Sequence, residues 1–166
     1  MIKWLCLLWF VLGATFRGEA TMVDLIHAYQ PSMPTQQATY IAERISYWAN
    51  EWNVNVYTVA AIIAQESSFD PTAVGERGER GLMQITRPAL KELERKYDEE
   101  FDFNRLFDID HNLSAGTLYY RYCTDLANNE RKEAISRYRT TSKPQDSSDY
   151  ARNVMLIRRV AVRFIT

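Results

Sequence analysis

Residues 55–69 read Asn-Val-Tyr-Thr-Val-Ala-Ala-Ile-Ile-Ala-Gln-Glu-Ser-Ser-Phe. Asn55 is a good helix-capping residue, and Val59, Ile62 and Ile63 recur at the spacing of one apolar helical face. Glu66 lies three and four residues beyond Ile63 and Ile62 on that same face, so it projects toward the core or a cleft rather than open solvent. Two effects act on it with one sign. Partial burial disfavours a carboxylate, and the carbonyl end of the helix repels negative charge. Both raise its pKa, and a carboxylic acid kept neutral near physiological pH is what protonating a leaving oxygen requires. The competing reading is an ion pair with a buried arginine, for which Arg77 and Arg80 are the nearest candidates.

Outward from this stretch the chain reads as helices. Ala38, Ile41, Ala42, Ile45, Trp48, Ala49 and Trp52 make one stripe, with Thr35 placed to cap its start. Thr21 to Ser32 gives no clean periodicity, and Pro31 and Pro34 bracket a linker. From Phe69 to Arg80 the pattern breaks at Pro71, Gly75 and Gly78, which predicts a polar loop. Pro88 suits the first turn of a third helix carrying Leu90, Leu93 and Tyr97, and the charges between Lys91 and Glu100 form its solvated side. A fourth helix follows Asp110 with Leu113, Gly116, Tyr120, Cys123 and Ala127. Ala134, Ile135 and Tyr138 mark a short fifth. Ser148 or Asp149 caps a sixth with Tyr150, Val154, Ile157, Val160 and Phe164. No stretch shows sustained period-two alternation. The expected fold is mainly α, a single domain of about six helices with at most a minor β element.

Composition narrows the function. A length of 166 residues fits one domain, and 46% hydrophobic with 25% charged is a globular balance. A formal net charge of -1 lacks the basic excess of a nucleic-acid binder, so no nucleic-acid partner is expected. With only His27 and His111, and with Cys6 and Cys123 far apart, no zinc-ligand spacing can be assembled and no metal is expected. Cys123 lies on an apolar stripe and reads as a buried structural thiol.

The first twenty residues have the layout of a secretory leader. Lys3 gives a positive start, Trp4 to Ala14 is uncharged and mostly apolar, and Gly18 and Ala20 suit a peptidase cleaving after residue 20. Extended to Phe16, the apolar run reaches about 20 Å as a helix. A bilayer core needs about 20 residues, so a retained anchor is the weaker alternative. The expected organisation is therefore a signal peptide over 1–20 and one domain over 21–166, exported to the periplasm or cell wall.

Four ordered segments carry a family resemblance. They are Ala64-Gln65-Glu66-Ser67-Ser68-Phe69-Asp70-Pro71; Gly81-Leu82-Met83-Gln84-Ile85; Leu106-Phe107-Asp108 with Asn112-Leu113-Ser114-Ala115-Gly116; and Ala134-Ile135, Tyr138, Tyr150 and Val154. Together they resemble the catalytic domain of the soluble lytic transglycosylases, in the lysozyme-like superfamily, over roughly Val54 to Val154. One departure stands out. The family's tyrosine is followed by asparagine, alanine and glycine, whereas Tyr138 is followed by Arg139, Thr140 and Thr141.

The resemblance implies cleavage of the β-1,4 bond between N-acetylmuramic acid and N-acetylglucosamine in peptidoglycan, with a 1,6-anhydro product. It implies Glu66 as the sole acid and base, Tyr138 as the hydroxyl bonded to it, and Ser67, Met83 and Gln84 as substrate-binding residues. Ser67 has a second reading as a helix-end hydroxyl bonded to backbone, and Met83 as filler of the core beside the cleft. No cofactor is implied. The expected partner is the glycan strand, and the chain is expected to be monomeric. A secretion apparatus or a phage particle is a compatible setting. Two other functions fit the same residues. A hydrolase would need a second carboxylate about 6.5–9.5 Å from Glu66 to activate water if inverting, with Glu76 and Glu79 the nearby candidates. A wall-binding protein without activity would need neither.

Overall fold

The computed structural model describes residues 20–139 and 148–165. The expected leader, Ala20 apart, lies outside them, as do Thr140 and Thr141. The described residues form seven α-helices: α1 Met22–Tyr29, α2 Thr35–Glu51, α3 Val56–Glu66, α4 Arg87–Tyr97, α5 Ile109–Leu126, α6 Arg131–Arg139 and α7 Ser148–Ile165. A single 3-10 turn, Phe103–Arg105, precedes α5. The β content among these residues is two isolated bridges, Val74 with Arg80 and Arg80 with Ile85. The mainly-α expectation and its minor β element hold.

The helix that periodicity did not reveal is α1. It is too short, at 8 residues, to display a stripe, and it is started instead by a reciprocal cap between Thr21 and Asp24. Three other boundaries differ from expectation by one or two residues, α7 among them, since Ser148 opens that helix and Ser148 and Asp149 both lie within it. Pro34 precedes α2 and Thr35 opens it without capping it. α5 begins at Ile109 because Asp108 accepts the backbone N–H of His111. Asn55 caps α3 through Thr58 N–H, as its residue type predicts.

The core is organised around α3. Every residue from Thr58 to Ala64 is buried, so this helix is enclosed on all sides and not on one face only. Ala60, Ala61 and Ala64 keep its girth small, which lets α7 lie against one side and α2 against another. Arg158 of α7 donates to the Thr58 hydroxyl at 3.1 Å, so the one polar side chain in that buried run is satisfied. Burying Val59, Ile62 and Ile63 contributes about 1.5–3 kcal/mol each before chain entropy is subtracted. α5 is the second buried rod, packed by α2, α4 and α6. Cys123 sits within it, fully buried and unpaired, and burial pushes its thiol pKa far up. Among the described residues no helix is long and apolar enough to cross a membrane.

Candidate active site

α3 ends at Glu66, and the chain turns away at once. Ser67 is the C-cap residue, and Ser68 and Phe69 both adopt left-handed backbone, with φ of 53° and 64°. Two consecutive left-handed non-glycine residues cost about 1–2 kcal/mol each. The Phe69 ring offsets this by complete burial, packed against Tyr29 with ring centroids 5.7 Å apart. The reversal leaves Glu66 at the end of a buried helix, where the chain no longer covers its side chain completely.

The Glu66 side chain is only 8% exposed. Tyr150 of α7 donates to its Oε1 at 2.6 Å. Arg139, the last residue of α6, stands 4.0 Å from Oε2 with its own side chain half exposed. Burial raises the Glu66 pKa and outweighs the opposing pull of Tyr150 and Arg139; Glu79 adds to the rise and Arg77 subtracts from it. The upward direction expected for this carboxyl is the direction its burial imposes. Neither arginine considered as an ion-pair partner reaches Glu66. Arg77 directs its Nε and a terminal nitrogen to Glu79 Oε1 at 2.8 and 2.7 Å. Arg80 turns to the Phe103 carbonyl at 3.2 Å, its guanidinium 4.2 Å from the Phe103 ring centre.

Glu66 opens on a cleft of about 900 Å³. Tyr119, Tyr138, Tyr150 and Asn153 line it from the helices, and Gly75, Glu76, Arg77, Glu79 and Gln84 line it from the loop after α3. That loop is shaped by glycines and one asparagine. At Gly75 a Cβ would fall 2.4 Å from Glu79 Oε2. Gly81 has a φ of +72°, and a Cβ there would lie 2.2 Å from the Leu106 carbonyl oxygen. Asn112 of α5, 1% exposed, donates to the carbonyls of Arg80 and Leu106 at 2.9 and 2.8 Å and accepts Met83 N–H at 2.9 Å. One buried amide thus clamps the Gly81–Gln84 segment to the helical core. Gly116 completes the seat, since a Cβ there would fall 2.4 Å from Met83 Sδ.

One expected contact changes, and two residues take the second of the readings their sequence allowed. Tyr138 does not donate to Glu66. Its hydroxyl goes to the Met83 carbonyl at 2.8 Å, and Tyr150, from a helix 84 residues away in sequence, takes the acid instead. The reason is geometric: α7 lies directly on α3, while Tyr138 is drawn below to the clamped loop. Met83 has no exposed surface and packs on Gly116 and the Thr117 hydroxyl, so it supports the cleft from beneath and cannot touch a ligand as placed. Ser67 donates to the Ile63 carbonyl at 3.3 Å, the backbone-bonded reading of that hydroxyl. Gln84 does line the cleft, but its amide nitrogen is spent on the carbonyls of Ala73 and Gly81 at 3.1 and 2.9 Å. Its remaining capacity is that of an acceptor. Three tyrosines of α5 are buried: Tyr120 and Tyr122 pack, and Tyr119 also reaches the cleft wall.

Glu79 is the second carboxylate of the cleft and 7% exposed. Burial pushes its pKa up, but hydrogen bonds from its own backbone and from Arg77 outweigh this and hold it below the ordinary carboxylate range. Three Arg77 donors already occupy its oxygens, which makes it a poor base for a water molecule. Tyr138 and Tyr150 have phenol pKa values pushed well up, first by burial and next by the charge of Glu66, so both are hydroxyl donors at neutral pH. Among the described residues no cluster of histidine, cysteine, aspartate and glutamate could hold a metal ion.

Known proteins align with this arrangement. A stretch of the membrane-bound lytic murein transglycosylase F of Desulfosudis oleivorans is 41% identical over 61 residues, which is 37% of this chain and 12% of that protein. The lytic transglycosylase Slt of Pseudomonas aeruginosa, solved as an inactive mutant, superposes with a TM-score of 0.68 at 19% identity, over 93% of this chain and 32% of its own. The 70 kDa soluble lytic transglycosylase of Escherichia coli gives 0.69 at 15% identity, over 96% of this chain and 30% of its own. The chain thus spans about a third of either solved protein, and at these identities the two superpositions show a common fold, the mainly-α lysozyme-like one. The family model for the transglycosylase SLT domain matches residues 43–153, running from the middle of α2 into α7 and taking in Glu66, the clamped loop, Asn112 and Tyr150. By that match the chain belongs to the transglycosylase SLT domain family.

Proposed function

We propose that this chain is a peptidoglycan lytic transglycosylase in which Glu66 serves as both acid and base. The observation that carries the reading is a nearly buried carboxyl at a helix end, held by one tyrosine, with the Arg139 guanidinium 4.0 Å away and beyond hydrogen-bond distance, and opening on a cleft of about 900 Å³. Because Tyr150 occupies Oε1, the catalytic proton sits on Oε2. Glu66 gives this proton to the glycosidic oxygen as the muramic ring gains oxocarbenium character. The ring's own acetamido oxygen stabilises that carbon. Glu66, now a carboxylate favoured by the Tyr150 hydrogen bond, then takes the proton of the sugar's 6-hydroxyl, and the 1,6-anhydro bond closes. Gln84 Oε1 is available to accept from a sugar hydroxyl, and Ser67 stiffens the end of α3.

The same reading takes residues 1–20 as an export leader and 21–166 as the catalytic domain, acting on glycan strands in the periplasm or cell wall as a monomer. The relative whose name declares it membrane-bound fits a place at the envelope. Digestion of purified peptidoglycan tests the proposal: mass spectrometry should find muropeptides lighter by one water than hydrolysed ones. Glu66→Gln should lower turnover by at least about 10²-fold while the protein stays folded. Hydrated reducing ends would make it a hydrolase, and no release at all would make it a wall binder.

A further inference from the structure

Among the described residues Arg139 is the cleft arginine that makes no hydrogen bond to a carboxylate. Four carboxylates line the cleft, from Glu66, Glu76, Glu79 and Glu92, and two arginines face them, Arg77 and Arg139. Arg77 is bound to Glu79 through its backbone N–H and two guanidinium nitrogens. Among the described residues the one ion-pair contact of Arg139 is with Glu66 at 4.0 Å, beyond hydrogen-bond distance, and half of its side chain is open to solvent. Its guanidinium lies 5.9 Å from the ring centre of Tyr150, the residue that holds the catalytic carboxyl. A planar fork is therefore displayed at the cleft surface beside the acid, with its donors free to grip an oxyanion.

We propose that Arg139 recognises a carboxylate of the substrate and selects anionic glycan strands over neutral ones. The inference rests on the transglycosylase reading for its substrate class. Glu66 is held as the neutral acid, Glu79 is paired with Arg77 and Glu92 with Arg95, so Arg139 is the cation that an incoming carboxylate meets beside the acid. Muramic acid carries its lactyl carboxyl on the same ring that reacts, so a carboxylate near the scissile bond passes close to a guanidinium beside Glu66. Two sources supply that group: the lactyl carboxylate itself, on strands without peptide, or a carboxylate of the attached peptide stem.

The test is the dissociation constant of defined strands, measured calorimetrically on full-length Glu66→Gln protein with Arg139, Lys or Asn at position 139. The probes are peptide-bearing strands, strands stripped by an amidase, and both forms with carboxylates converted to methylamides. With Arg139 the anionic strands should bind about tenfold or more tightly than their methylamides. Arg139→Lys should keep part of that ratio and Arg139→Asn should lose it, whereas a purely structural role would weaken all strands alike. A preference confined to stripped strands assigns the lactyl group, and one confined to peptide-bearing strands assigns the stem; either supports the proposal. An equal preference with Arg and Asn, or none with Arg, overturns it. Binding needs no turnover, so an absence of anhydro products from the unmutated chain would refute the reaction and leave this measurement decisive on its own.

Discussion

Replacing Asn112 should unlock the cleft loop, and the cost can be worked out group by group. Its amide satisfies the Arg80 carbonyl at 2.9 Å, the Leu106 carbonyl at 2.8 Å and Met83 N–H at 2.9 Å, at a site 1% exposed. Leucine at this position leaves the Leu106 carbonyl and Met83 N–H without a partner, while the Arg80 carbonyl keeps the Ile85 N–H at 3.1 Å. A buried polar group stripped of its partner costs about 1–3 kcal/mol, so the two together cost roughly 2–6 kcal/mol before relaxation. Backbone adjustment and entering water recover part of that, and about 2–4 kcal/mol is the expected loss, against a total stability of about 5–15 kcal/mol. Urea unfolding followed by far-UV circular dichroism measures it. Asn112→Asp separates hydrogen bonding from packing. Aspartate keeps the shape and still accepts Met83 N–H, but its second oxygen meets two carbonyls with a donor only when protonated. Its folded pKa is then raised, so this variant should approach wild-type stability below the ordinary carboxylate range and lose it as pH rises through the raised value. Because Met83 also supplies the acceptor for Tyr138, turnover should fall with the clamp. A loss under about 1 kcal/mol for Asn112→Leu, or a pH-independent Asn112→Asp, would refute the clamp.

Two further outcomes follow from Glu66. Its raised folded pKa means that the folded chain holds this proton to higher pH than the unfolded one; the burial penalty is absent at low pH, grows as pH rises past the ordinary carboxylate value and is full above the folded pKa. Glu66→Gln removes the penalty, so its melting temperature should exceed wild type by a margin that widens with pH, about 2–4 °C for each kcal/mol relieved, and a margin constant across pH 4–8 would contradict this. Tyr150→Phe removes the 2.6 Å hydrogen bond that favours the carboxylate, so the alkaline limb of kcat/KM should move to higher pH and kcat should fall about tenfold or more; an unmoved limb would dismiss Tyr150 as the partner of the acid.

What the amino-acid order determined alone is whatever neighbours three or four residues apart can encode. The stripe of α2, the Asn55 cap, the proline-led start of α4 and the placement of Glu66 on the inner face of α3 are all of this kind, because helical periodicity is a local property. The sign of the Glu66 pKa shift followed from the same local facts. Even α1 was encoded locally, in Thr21 and Asp24, although its length hid the stripe. Tertiary structure decided the partners. Tyr138 and Tyr150 are both buried-face tyrosines in the pattern, and only the docking of α7 on α3 gives the acid to Tyr150 and leaves Tyr138 to the Met83 carbonyl. Asn112, 29 residues from Met83, reads in the chain as one more polar position on a helix, and becomes a clamp only when the loop folds over α5. Arg139 shows the same division: its charge is plain in the sequence, but its freedom depends on Arg77 having been taken by Glu79. Hydrogen-bond partners between distant segments are chosen by which helices pack together, and packing is a property of the whole chain.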